Sequence, residues 1–137
     1  MNCRRLLRGE GGSVSVWLVG LSIAVIIAIG WAVDGSRKAQ AHSDATAIAE
    51  EAARAAGQAL RVQALATGEP ADVDPQQAIV QAESYLAAVG TAGTVAVQGN
   101  RIIVDTVVIR TTIFLGIVGI SEFSVRGHGT ADLLSDG

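Results

Sequence analysis

The hydrophobic pattern changes character three times along the chain. From Val14 to Val33 the run "VSVWLVGLSIAVIIAIGWAV" holds no charged side chain. As a helix rising 1.5 Å per residue it is roughly 30 Å long, about the thickness of a bilayer's hydrocarbon core. Arg4, Arg5 and Arg8 precede it, Trp17 and Trp31 stand near its ends, and Asp34, Arg37 and Lys38 close it. Basic residues on the leading side and indoles at the ends predict a span with its N-terminus in the cytoplasm. Residues 35–67 are polar but contain no proline and are rich in Ala, Arg, Gln and Leu, so the helix is expected to continue into water. Asp34/Lys38 and Glu50/Arg54 have the supporting acid-then-base spacing of four. Gly68 and Pro70 end this second stretch.

Small residues recur every four positions through both halves. Gly20, Ala24, Ala28 and Ala32 form one row in the apolar half; Ala41, Ala45, Ala49, Ala53 and Gly57 form another in the polar half. Such rows let helices approach closely, and both are expected to be helix–helix packing faces. The plainer account is that alanine is abundant here.

Beyond residue 68 the period shortens. "PADVDPQQAIVQAESYLAAVG" reads as a loop and a short helix, with Asp74 as N-cap, Pro75 in the first turn, Ile79, Ala82, Leu86 and Val89 on one face, and Gly90 at the end. "TVAV" at 94–97 and "IIVDTVVIRT" at 102–111 are β-branched runs joined by "QGNR", a hairpin signal. From Phe123 to Leu133 apolar and polar positions alternate, with Gly127 and Gly129 at inward positions, which predicts a strand with a weak or bent middle. The fold class is therefore α+β: a long N-terminal helix, a short helix, and an antiparallel sheet of three or four strands covered on one face by the helices. The expected divisions are a basic leader at 1–13, a membrane helix at 14–33, its aqueous extension at 34–67, and a small extracytoplasmic α/β domain at 68–137.

"TIFLGIVGI" at 112–120 fits neither period. It reads either as an inward-folded turn that seals the sheet or as an apolar tip, with Phe114, Leu115, Ile117 and Val118, that docks on a partner subunit or a membrane surface.

Composition narrows the function. The net charge is −3 and only 4% of residues are aromatic, which gives no reason to expect a nucleic-acid partner and leaves few large side chains for a core. Cys3 is the sole cysteine, so no internal disulfide is available. His42 and His128 lack neighbouring ligands, no nucleophile–base arrangement or phosphate loop is recognisable, and no catalytic residue, metal or cofactor is expected.

The exit of the apolar run, Ala32, Val33, Asp34, Gly35 and Arg37, and the Ala-rich stretch from Asp44 to Ala49 resemble TadE/TadG-like proteins of Flp-type (tight adherence) pili. The β-rich "FLGIVGI" ending is similar to that of short actinobacterial members. The resemblance implies a non-enzymatic, pilin-like minor subunit or assembly factor. It would be single-pass in the cell membrane, with its C-terminal domain outside, and associated with other pilus subunits through its helix. Relatives with a prepilin-type site carry a Glu five residues into the mature helix. Cleavage between Gly12 and Ser13 would put Trp17 there instead. The alternatives are a permanently tethered accessory of a secretion machine and a small domain secreted after cleavage at the small-x-small site ending at Ala41. Asp34, Arg37 and Lys38 separate that site from the apolar core, and the core itself is longer than a signal peptide's.

Overall fold

The structure, a computed structural model, describes residues 11–67 and 74–133. The leader with Cys3, Arg4, Arg5, Arg8 and Glu10, and the Gly68–Pro70 stop, lie outside the described residues.

Helix α1 runs without interruption from Gly11 to Thr67. No proline interrupts it, and its interior glycines are too widely spaced to break so long a helix. Helix α2 spans Pro75–Ala88. The Asp74 carboxylate accepts the Gln76 N–H at 2.9 Å, satisfying a donor that the first turn leaves free. At the other end Gly90 has φ +65°, and the Thr91 N–H bonds the Leu86 carbonyl at 3.0 Å while the Gly90 N–H bonds that of Ala87. This is a Schellman stop, which needs a left-handed residue.

Three strands follow: β1 (Ala92–Gln98), β2 (Arg101–Thr111) and β3 (Glu122–Asp132), antiparallel and in sequence order. Gly99 and Asn100 alone connect β1 to β2. Gly99 has φ +60° at the first central position, as a type II′ turn requires. The strand expected to be weak is not: β3 pairs with β2 in unbroken register from Arg101↔Asp132 to Thr111↔Glu122.

The sheet lies along the polar half of α1, and the match between them is geometric. Four helical residues rise about 6 Å and two strand residues rise about 6.6 Å. A strand alongside a helix therefore sets each inward residue opposite every fourth helical one. Gly127 faces Ala45 and Gly129 faces Ala49, so closely that a β-carbon on Gly127 would lie 2.1 Å from the Ala45 carbonyl and one on Gly129 2.3 Å from the Ala49 carbonyl carbon. The glycines are where strand backbone meets helix backbone. Pairing with β2 runs through both of them without a break.

Two apolar clusters result. The one farther from the apolar half joins Ala49, Ala52, Ala53, Ala56 and Leu60 to Ala78, Ala82 and Leu86 of α2 and to Ile102, Val104 and Leu133. The nearer one joins Ala41 and Ala45 to Val108 and Val125. Thr106 is fully buried between them, and its hydroxyl donates to the Ala45 carbonyl at 2.7 Å. On the exposed side of α1, Arg54 lies 3.7 Å from Glu50, as the spacing predicts, and 3.5 Å from Glu51.

Candidate functional site

The two rows of small residues have different fates. Ala41, Ala45, Ala49, Ala53 and Gly57 are all buried, and what buries them is the chain's own β3 and its neighbours. A β-carbon on Gly57 would sit 3.5 Å from the Asp132 carbonyl oxygen, so the strand follows the row to its end. The face expected to meet a second helix is occupied within the molecule, because glycines in a strand accept small helical residues as well as another helix does. Gly20, Ala24, Ala28 and Ala32, by contrast, are exposed, and among the described residues nothing approaches the position of a β-carbon on Gly20. Around them Trp17, Leu18, Ile23, Ile26, Ile27, Ile29 and Trp31 are also exposed.

Gly12 and Ser13 lie in the first turn of α1, exposed, with open space around Gly12. The peptide bond between them is thus helical and unobstructed by the rest of the described chain.

The apolar segment between β2 and β3 sits at the junction of the two halves of α1. Its centre is a 3₁₀ turn, Leu115–Val118, closed by Gly119 at φ +91°. The turn is held by Asp34, whose residue is only 3% exposed. One carboxylate oxygen accepts the Ile113 N–H at 3.2 Å; the other accepts those of Phe114 and Leu115 at 3.1 and 2.8 Å. The Leu115 N–H, then those of Ile113 and Phe114, with help from the Arg37 charge, hold the Asp34 carboxyl below the usual carboxylate range despite its burial. Asp34 is therefore a clamp, where its spacing to Lys38 had pointed to a helical ion pair.

Beside the clamp the Phe114 ring lies on Gly30, where a β-carbon would come within 2.9 Å of it. Leu115 is half-buried; Phe114 is 36% exposed and Ile117 84%. Val118 belongs to the turn. Sequence reasoning missed both anchors. The available signals were a lone carboxylate ending an apolar run and a glycine four residues before it.

The two histidines serve the sheet. His42 Nδ1 lies 2.9 Å from the Arg126 carbonyl, an acceptor, so Nδ1–H donates and covers an outward-pointing group on the β3 edge. His128 Nδ1 lies 2.8 Å from Asp105 Oδ1 as an exposed cross-strand pair. Among the described residues no group of three or more His, Cys, Asp or Glu side chains is placed to hold a metal ion.

α1 is long and apolar enough to cross a membrane, with only 6% of its most apolar window buried within the molecule. Comparison with curated proteins and with solved structures gives no match. A family model does match: residues 12–59, which carry the apolar run, the Asp34 clamp and the whole of the buried small-residue row, fit the Tad family, described as "Putative Flp pilus-assembly TadE/G-like", and the TadE/TadG-like resemblance is borne out over that part of the helix.

Proposed function

We propose that the chain is a single-pass membrane protein acting as a pilin-like minor subunit or assembly factor of a Tad-type pilus. Its N-terminus would lie in the cytoplasm and its α/β domain outside. One observation carries the reading: within a helix that matches a pilus-assembly family, the small-residue row of the polar half is covered by the chain's own sheet while that of the apolar half is left bare. A bare apolar helix about 30 Å long needs lipid or other apolar helices around it. The row Gly20, Ala24, Ala28 and Ala32 is the place where a second helix can come close. Partner subunits therefore bind through the membrane half, and the aqueous half displays the sheet.

Replacing Ala24 and Ala28 with Leu tests this. The double variant is expected to remain in the membrane fraction but to lose cross-linking to other pilus-assembly components. Normal cross-linking and normal pili in that variant would remove the proposed contact.

A second reading, a permanently tethered accessory, is favoured by Trp17, which stands where a prepilin-type helix carries its Glu. N-terminal sequencing of the cell-associated protein separates the two. A start at Ser13 supports entry into a filament, and an uncleaved leader supports the tether.

A further inference from the structure

We propose that the loop from Thr111 to Ser121 is a second membrane contact, seated in the outer headgroup region beside the point where α1 leaves the bilayer. The inference rests on the membrane reading of α1 and adds what the small domain does there. Its first support is depth. Phe114 packs on Gly30, about 6 Å of helix on the apolar side of Asp34. If Val14–Val33 is in lipid, a ring lying on Gly30 is at lipid depth too.

The second support is that two separate segments change character at one level. On α1 the uncharged run ends at Val33, and charge begins at Asp34, Arg37 and Lys38. On the sheet no charged side chain occurs between Arg110 and Glu122. Arg37 and Arg110, with Asp44, line one shallow cleft immediately above the loop. The apolar-to-charged boundary thus runs across both elements as a single surface. Below it Ile113, Ile117 and Ile120 are 50%, 84% and 52% exposed.

The third support is the backbone. Irregular chain is tolerated near hydrocarbon only where its polar groups are satisfied within the protein. Here the N–H groups of Ile113, Phe114 and Leu115 bond Asp34, and that of Thr112 bonds the Ser121 carbonyl. Those of Ile117, Gly119 and Ile120 bond carbonyls of the turn itself. The Thr112 hydroxyl donates to the Ile120 carbonyl. A loop destined for water has no need of this, since water would serve the same groups. The partner is accordingly a lipid surface, with the isoleucines in the acyl–headgroup boundary and the span and loop together fixing the depth of the domain.

The test uses the full chain with Cys3→Ser, reconstituted in phosphatidylcholine–phosphatidylglycerol vesicles. It carries one environment-sensitive fluorophore at Ile23→Cys, Ile117→Cys or Gln98→Cys in turn. The expected result is loss of emission at 117 with lipids brominated near the headgroup end of the chain, loss at 23 with lipids brominated near the methyl end, and quenching by aqueous iodide only at 98. Iodide quenching at 117 with lipid quenching kept at 23 overturns the inference and leaves the membrane span standing. Shielding of 117 from both quenchers also overturns it, because another protein surface then covers the loop. Iodide quenching at 23 as well overturns the membrane reading itself.

Discussion

Gly127 and Gly129 are the residues on which the fold is most sensitive, since each stands where a β-carbon would overlap α1 backbone rather than a movable side chain. Gly127→Ala and Gly129→Ala should each destabilise the domain by about 1–3 kcal/mol or more, the usual scale of overpacking. Thermal unfolding of the reconstituted full chain checks this. Ser124→Ala on the exposed face of the same strand should fall within about 0.5 kcal/mol of the parent. Thr106→Val keeps the shape but deletes the hydroxyl donor to Ala45, and should cost about 1 kcal/mol in the same measurement. Asp34 acts through charge. Because its carboxyl is held below the ordinary value near 3.8, the clamp is fully present above that value and weakens as pH falls through the lower, folded one. Loop mobility, read from a spin label at Ile117→Cys, should be flat from neutral pH to about 4 and rise below it. Asp34→Asn should raise mobility at every pH and abolish the dependence, since an amide supplies one acceptor oxygen in place of two.

At the scale of elements, the residues that made structure legible were those with a local mechanism. Asp74, Pro75 and Gly90 delimit α2 by capping chemistry, Gly99 sets the hairpin, and the alternation after Phe123 gives β3, all without tertiary information. The rows of alanine marked faces that must pack, but an alanine row fits a glycine-bearing strand as well as another helix. The decisive clue was a pair of periods, four in α1 and two in β3, that have nearly the same rise. The 112–120 segment was illegible for a different reason. Its β-branched residues favour a strand, yet three of its N–H groups are drawn to a carboxylate some 80 residues earlier, and no local pattern announces such a partner. Gly30 is the other half of that contact. Gly30→Val should push Phe114 off the helix and free the loop, seen as a more mobile label at position 117. The unfolding temperature should change little, because the core clusters lie farther along the sheet.

For the whole molecule, one helix does two jobs in succession. Its first third is bare, apolar and small-faced on one side; the rest is the floor on which a thin domain of Ala, Gly and Val is laid. The handover occurs at Gly30–Asp34, where the loop is pinned. A rigid connection of this kind transmits any tilt or withdrawal of the apolar half directly to the sheet, which is what the proposed role in a Tad-type pilus would use. The most direct test is a spin-label accessibility scan along α1 from Val14 to Leu60 in vesicles. The account predicts lipid accessibility to Val33, immobile water-facing positions from 35 to 40, and from Ala41 a helical rhythm in which positions 41, 45, 49 and 53 are shielded while 44, 47 and 51 face water. Labels at 35–40 as mobile as those on a free chain would show two separate helices and contradict it.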